Sequence, residues 1–242
     1  MKKNIKRILI VLLTVVVVLA AAIFIYSYPM LSMSPTETGE FSGADIYAIK
    51  DTLVTVYFIK TETGYILVDA GTNQNNLLSS LEESEIDAVD VKWLLLTHSD
   101  SDHVAALASF PNAEIYMNED ELKMLDGTEK RSFLGGNSLP SSIDIADIKL
   151  LQDDQRLSFG GTDVRCIKAA GHTAGSMAYL IDGSYLFTGD AFSIRNGRLG
   201  VHPFTMDKNR AIETIDNLRE LVNNSYVVMS AHYGSFVDQI FE

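Results

Sequence analysis

The segment His98–His103 reads His-Ser-Asp-Ser-Asp-His and so contains two imidazoles and two carboxylates within six residues. It follows the apolar run Val91–Thr97, which is typical of a buried strand. A tight loop at the end of such a strand can direct these side chains at one point, and imidazole with carboxylate is a donor set for a divalent cation. The segment therefore predicts a metal site.

Three further segments extend this pattern, and each follows a short apolar run. They are Gly171–Ser176, Phe187–Asp190 and Ser230–Gly234. The chain has five histidines, and four of them lie in these three segments and the first one. A lone histidine at a strand end is more often packed or solvent-facing than a ligand, and Asp-rich loops commonly form turns. The four segments together, in this order and spacing, favour a shared metal site over that structural interpretation.

In these segments the chain resembles the metallo-β-lactamase-fold hydrolases, whose signature is His-x-His-x-Asp-His followed downstream by a His, an Asp and a His. The likeness extends from about Asp45 to His232 and includes Ile66–Gly71, which looks like the family's early strand ending in Asp and Gly. One position departs, because Asp100 stands where most members have the second histidine. Some relatives, including the nuclease-like domain of DNA-uptake proteins, look similar in carrying Asp there.

The resemblance implies an α/β fold, a four-layer αββα sandwich of two β-sheets with helices outside, that holds two divalent ions. Carried over by position, it places one ion on His98, Asp100 and His172, and the second on Asp102, His103 and His232, with Asp190 bridging. Asp102 and Asp190 are the expected catalytic carboxylates. Two ions that share a water lower its pKa and polarise the bond under attack, which gives a hydroxide nucleophile at neutral pH. Zn²⁺ is the expected metal, with Mn²⁺ or Fe²⁺ as alternatives because Asp100 substitutes oxygen for nitrogen.

Four residues near these segments are candidates for contact with substrate: Arg195, Arg198, His202 and Tyr233. Arg195 begins a cation-rich stretch of an otherwise acidic chain, five residues after Asp190. An anionic substrate group, carboxylate or phosphate, is one interpretation, and a solvated loop that complements neighbouring acids is the other. Tyr233 could donate to a developing oxyanion or could simply pack. We also expect Asp69 either to orient a ligand histidine or to cap a turn.

The net charge of −13 limits the class of partner. A surface so acidic repels polyanions, so long nucleic acids are not expected to bind, and a small-molecule substrate is favoured. The 242 residues are enough for one domain with a sizeable core, which we place at residues 43–242. Within it, residues 126–142 are rich in Gly, Ser, Asn and Pro and predict a long connection, either a lid or a plain surface excursion.

Residues 1–28 have four cations ahead of a nearly uninterrupted apolar run, Ile8–Ile25. About 18 residues at 1.5 Å each cover roughly 27 Å, close to a hydrocarbon core of about 30 Å. An uncleaved anchor is favoured over a cleaved secretory signal, because Ile23–Ile25 continues the run beyond Ala20–Ala22. In either form, the positive-inside rule places the catalytic domain outside the cytoplasm. Residues 29–42 then predict a polar linker.

These features favour a hydrolase of the cell membrane, a single-pass protein that acts outside the cytoplasm on a small ester-, thioester-, lactone- or amide-like substrate; a secreted form is the alternative. Hydrolysis of a phosphodiester or phosphorylcholine ester at the cell envelope is a second function, favoured by Asp100 and the arginines. A metal-binding module without turnover is a third. A true β-lactamase is less favoured, because the related zinc β-lactamases of the commonest kind have Cys where this chain has Asp190.

Overall fold

The computed structural model describes residues 2–41, 43–131, 137, 139–195, 198–221 and 226–237. The chain divides into two compact units, Met1–Met33 and Ser34–Glu242. The first unit contains helix α1 (Lys2–Ser27), whose large apolar side chains are exposed along its length. By length and composition alone, this helix is long and apolar enough to cross a membrane.

The second unit contains two large β-sheets and four helices among its described residues. In strand order, the first sheet consists of β1 (Gly39–Glu40), β2 (Ile46–Asp51), β3 (Val54–Thr61), β4 (Gly64–Val68), β5 (Val91–Leu95), β6 (Glu114–Asn118) and β7 (Lys149–Leu151). The second sheet contains β8 (Arg156–Phe159), β9 (Thr162–Lys168), β10 (Met177–Ile181), β11 (Tyr185–Gly189), β14 (Val227–Ser230) and β15 (Ser235–Val237). A separate ribbon pairs β12 (Ser193–Arg195) with β13 (Arg198–Gly200). The helices are α2 (Gln74–Glu83), α3 (Ser101–Val104), α4 (Glu119–Leu125) and α5 (Lys208–Leu221).

Each sheet combines antiparallel and parallel strands. In the first sheet β1 to β4 are antiparallel neighbours, and β4 to β7 are parallel neighbours. The second sheet has the order β15-β14-β11-β10-β9-β8, in which only the β11–β14 pair of described strands is parallel. Parallel neighbours end at the same edge of a sheet, so the loops that follow them lie close together.

Both faces of the first sheet are buried, which explains why β5 is apolar at every position except Lys92. Because side chains alternate along a strand, Leu94 packs with Leu77 of α2, whereas Leu95 faces the other sheet and packs in one cluster with Tyr179 and Phe187. On the second sheet's side, α5 buries a face of its own and its Thr214 donates to the carbonyl of Ala170. The expected αββα sandwich is therefore confirmed.

Two segments bear on the expectations from the sequence. Residues 34–40, which composition assigns to a linker, lie in the second unit: Ser34 donates its backbone N–H to the carbonyl of His232, and β1 pairs with β2. Within residues 126–142, residues 132–136 and 138 lie outside the described residues. The described Arg131 and Asn137 contact Asp100, so this connection is more than a plain surface excursion.

Candidate metal centre

The histidines and aspartates singled out by the sequence lie just beyond the ends of strands from both sheets. His98 follows β5, His172 follows β9, Asp190 follows β11 and His232 follows β14, while Asp102 and His103 lie in the short helix α3. A close approach of backbone to side chain joins the sheets here. A Cβ on Gly189 would lie 2.4 Å from Thr97 Oγ1, and Gly189 has a positive φ of +49. Only glycine therefore fits at the position before Asp190.

The structure brings all seven predicted ligands together. Two groups have donor atoms within 4.8 Å of one another and correspond to the two expected sites, namely His98 with Asp100 and His172, and Asp102 with His103 and His232. Asp190 lies between them. Its Oδ1 is 3.3 Å from His232 Nε2, and its Oδ2 is 3.3 Å from His172 Nε2.

Asp69 fixes two of the imidazoles from behind. Its Oδ2 accepts from His103 Nδ1 at 2.8 Å and from the Thr97 hydroxyl at 2.8 Å. Because that hydroxyl donates to Asp69, it accepts from His98 Nδ1, which lies 3.0 Å away. Both rings therefore turn an Nε2 lone pair toward the centre, as expected for histidines that a carboxylate orients for metal binding.

Several buried atoms of the centre lack a partner. His98 Nε2, His103 Nε2 and Asp190 Oδ1 form no hydrogen bond within the part of the chain that the structure describes. A third ring is oriented in the same way, because His232 Nδ1 donates to the carbonyl of Leu53 and its Nε2 faces the centre, 3.4 Å from Asp102 Oδ2 and 3.3 Å from Asp190 Oδ1. Unpaired buried nitrogen and oxygen atoms are costly unless they bind something, and this donor set suits a divalent cation.

The pKa values reflect this concentration of unlike charges. Burial lowers the pKa of His103, but the negative charges of Asp69, Asp190 and Asp102 outweigh it and raise the value to about 9. Burial likewise raises the pKa of Asp190, but the surrounding imidazoles, His232 first, hold it well below its usual range. Without a cation the centre therefore retains protons on imidazole, and a metal ion must displace them.

Arg131 and Asn137 are site residues that sequence reasoning missed. The Arg131 guanidinium contacts both oxygens of Asp100, with Nε at 2.9 Å from each and Nη2 at 2.8 Å from Oδ2. It also donates to the carbonyl and Nε2 of His172 at 2.9 and 2.8 Å. Asn137 Nδ2 donates to Asp100 Oδ1 at 3.0 Å. No periodicity marks these residues, because they lie in an irregular connection.

Glu121 was also missed, because a glutamate on an amphipathic helix reads as a surface residue. It lies on α4 and is fully buried. Its Oε1 accepts from the backbone N–H and hydroxyl of Ser99, and its Oε2 accepts from the Thr173 hydroxyl at 2.7 Å. It thereby joins the loop after His98 to the loop after His172, each of which carries predicted metal ligands.

The predicted substrate residues divide into two pairs. His202 and Tyr233 lie at the centre, with ring centroids 5.9 Å apart, and His202 Nε2 is 3.7 Å from Asp190 Oδ2. Arg195 is exposed but close enough to Tyr233 to lower its pKa, although burial raises that pKa overall to about 12. Arg198 is exposed on β13, and no described contact links it to the centre.

Two known proteins are similar to this chain in sequence. The chain is 33% identical over 128 residues to a probable polyketide biosynthesis zinc-dependent hydrolase of Bacillus subtilis. The aligned residues make up 52% of this chain and 48% of that protein. It is 28% identical over 171 residues to a hydroxyacylglutathione hydrolase of Glaesserella parasuis, and this alignment covers 69% of this chain and 60% of that protein. The chain thus spans about half the length of the first of these relatives.

Solved structures agree with the fold. An archaeal metallo-beta-lactamase superfamily protein of Sulfolobus tokodaii superposes with a TM-score of 0.62 and 25% identity over 82% of this chain and 83% of that one. A subclass B3 metallo-beta-lactamase of Bradyrhizobium japonicum gives a TM-score of 0.64 at 19% identity over 83% and 79% of the two chains. The sequence model of the metallo-beta-lactamase superfamily matches residues 49–232. A match of this extent, on a sandwich whose strand ends assemble the metal centre, shows that the chain belongs to the metallo-beta-lactamase superfamily.

Proposed function

We propose that this chain is a membrane-anchored, metal-dependent hydrolase that acts outside the cytoplasm on a small ester-, thioester-, lactone- or amide-like substrate. The observation that carries the proposal is the convergence of imidazole and carboxylate donors from both sheets on one edge of the sandwich. The relatives support it, because two are named as a zinc-dependent hydrolase and a hydroxyacylglutathione hydrolase. Helix α1 supports the membrane anchor by its length and composition.

The proposed centre holds two divalent cations, with Zn²⁺ preferred and Mn²⁺ or Fe²⁺ as alternatives. The first lies among His98, Asp100 and His172, and the second among Asp102, His103 and His232, with Asp190 between them. When bound, such ions lower the pKa of water and polarise a carbonyl or phosphoryl oxygen.

The side chains around the centre have separate roles in this proposal. Asp102 is the most accessible of its carboxylates, with 38% of its side chain exposed against 4% for Asp190. Burial raises the pKa of Asp102, but the charge of His103 and the hydrogen bond from His232 lower it below its usual range. Asp102 is therefore ionised at neutral pH and can accept a proton from the attacking water and pass it to the leaving group.

Tyr233 supplies a neutral hydrogen-bond donor beside the centre. Burial raises its pKa to about 12, although the nearby Arg195 lowers it in part, so its hydroxyl remains protonated at neutral pH. We propose that it donates to the substrate oxygen on which charge develops. The exposed Arg195 nearby suits an anionic group on the substrate.

A substrate panel tests the proposed function. Full-length protein in detergent, with defined content of Zn²⁺, Mn²⁺ or Fe²⁺, would be assayed on lactones, thioesters, phosphodiesters and β-lactams. We expect a lactone or thioester to be cleaved, the activity to disappear on chelation and return with metal, and Asp190→Asn to lower kcat/KM by about 100-fold or more. The exposed Asp147→Asn is the matched control and should be unchanged. Cleavage of phosphodiesters alone, or turnover that survives verified metal removal, would contradict the proposal.

A further inference from the structure

The carboxylate of Asp100 is already fully engaged by protein donors. Arg131 Nε lies 2.9 Å from both oxygens, Asn137 Nδ2 donates to Oδ1 at 3.0 Å, and Arg131 Nη2 lies 2.8 Å from Oδ2. A carboxylate offers about four lone-pair sites, and these contacts occupy them. A bidentate guanidinium is a strong, oriented partner for a carboxylate. A cation that binds to Asp100 would have to displace the Arg131 guanidinium from this carboxylate.

His202 contrasts with Asp100, because it is buried at the centre and its ring nitrogens are unpaired among the described residues. The residue is 2% exposed, and neither Nδ1 nor Nε2 has a hydrogen-bond partner within the described chain. Its ring centroid lies 4.7 Å from that of His172, and its Nε2 is 3.7 Å from Asp190 Oδ2. Donor atoms of these three residues all lie within 4.8 Å of one another.

The backbone holds His202 in this position. The carbonyl of His202 accepts from Thr205, and the next residues are tied to the loop of His172, because Met206 donates to the His172 carbonyl and Asp207 to that of Gly171. The ring therefore sits on a turn anchored to the same loop as a predicted ligand. Ligands held in advance lose less conformational entropy when they bind.

We propose that His202 is a ligand of the first metal ion and takes the place given above to Asp100, so that the ion is bound by His98, His172, Asp190 and His202. Asp100 then stays paired with Arg131 through Nε, and only the Arg131 Nη2 contact with His172 Nε2 is given up to the ion. The distances suit this set. Zn–N and Zn–O bonds of about 2.0 to 2.2 Å in a tetrahedron put neighbouring donors about 3.4 Å apart. From Asp190 Oδ2, the Nε2 atoms of His172, His202 and His98 lie at 3.3, 3.7 and 3.9 Å. The inference rests on the proposed metal-dependent function. His202 would supply the third imidazole of the first site, because Asp100 stands where the family signature has its second histidine.

Counting bound metal tests the inference. Full-length wild type, His202→Gln and Asp100→Asn would be loaded with Zn²⁺, dialysed and analysed for zinc per chain. We expect about two zinc ions per chain for wild type and Asp100→Asn, and about one for His202→Gln. Loss of a residue that only hydrogen-bonds to a metal ligand typically lowers metal affinity by about 10- to 100-fold, and we expect His202→Gln to lower the affinity for the first ion by more than this. Thr205→Val is the matched control and should keep both ions, because it removes from the same turn a buried hydroxyl that has no hydrogen-bond partner in the described part of the chain.

A measurement on the wild type covers the possibility that His202→Gln does not fold. In protein loaded with ¹¹³Cd and labelled with ¹⁵N at histidine, all five histidines of the chain should couple to cadmium. Four coupled imidazoles, or a His202→Gln variant that keeps two ions at unchanged affinity and only raises KM, would overturn the assignment and make His202 a substrate residue. Wild type that binds no metal would instead contradict the proposed function itself, so the two failures are distinguishable.

Discussion

Asp69 contacts no predicted substrate group, yet two imidazoles depend on it. It accepts from His103 Nδ1 and from the Thr97 hydroxyl, and its own backbone has φ +60. Asn tolerates this left-handed conformation, so Asp69→Asn should fold but lose one acceptor and the negative charge. We expect metal affinity to fall by about 10- to 100-fold, as for other partners of metal-bound histidine.

Competition titration with a zinc chelator would measure this change, with Asp147→Asn as the exposed control. An unchanged affinity in Asp69→Asn would mean that Thr97 and packing alone orient the rings. The role of Asp69 was one of two open interpretations from the sequence, because an Asp ahead of a glycine turn serves equally well as a cap. Only the contact with His103, 34 positions away, decides between them.

Protonation of His103 sets a pH dependence. Its pKa in the folded, metal-free protein is about 9 against an ordinary value of 6.5, so the bound proton stabilises that form fully below about pH 6.5 and is lost as pH rises through about 9. Metal must displace this proton. We therefore expect apparent metal affinity to fall about tenfold per pH unit and per displaced proton from about pH 8 to about pH 6.

Isothermal titration with metal at several pH values would measure the change in affinity. Melting curves of the metal-free protein between about pH 6.5 and about pH 9 would measure the change in stability. The melting temperature of the metal-free protein should drop as pH rises toward about 9, while the metal-loaded protein should not show this loss. Metal affinity that does not change with pH would show that His103 carries no proton to displace.

At the scale of elements, α4 connects the two loops that carry most of the ligands. Glu121 bonds to Ser99 and Thr173, and Gly175 lets this helix approach, since a Cβ there would lie 2.4 Å from the backbone nitrogen of Glu121. Replacing Glu121 by Gln weakens charge-assisted bonds inside the core. We expect a loss of about 1 to 3 kcal/mol in the free energy of unfolding.

Glu119→Gln provides the control, because Glu119 is exposed on the same helix. Chemical denaturation would measure the free energy of unfolding of both variants. A loss in the Glu121 variant alone would be due to its buried hydrogen bonds and not to the removal of a negative charge from the helix. Equal stability of the two variants would show that Glu121 does not hold the loops together.

The sequence predicts the strand ends better than the loops between them. Met177–Ile181 is apolar throughout and Val91–Leu95 is apolar except at Lys92, so both are recognisable from the sequence as buried strands. Arg131 and Glu121 are different, because a charged side chain is read as exposed unless its partner is known, and these partners, Asp100 and Ser99, are distant in the chain. The short strands β7, β12, β13 and β15 carry too few residues for a period to be seen.

At the scale of the whole molecule, the two units predict a topology. If α1 spans the membrane with Lys2–Arg7 in the cytoplasm, the unit from Ser34 onward lies outside. Protease added to intact cells should then digest this unit, while a cytoplasmic marker stays protected. Protection of the unit equal to that of the marker would contradict the proposed orientation, and a mature N-terminus near Ala22 or Ile23 would indicate a secreted form.

The central claim is that imidazoles and carboxylates from both sheets form a metal centre, and metal removal tests it most directly. Full-length protein would be analysed for zinc, stripped with a chelator, and its melting temperature and hydrolytic activity measured before and after zinc is restored. Because a metal ion that binds only the folded chain adds its binding free energy to stability, stripping should lower the melting temperature and abolish turnover, and zinc should restore both. A melting curve and activity that stay unchanged after verified removal of metal would contradict the account.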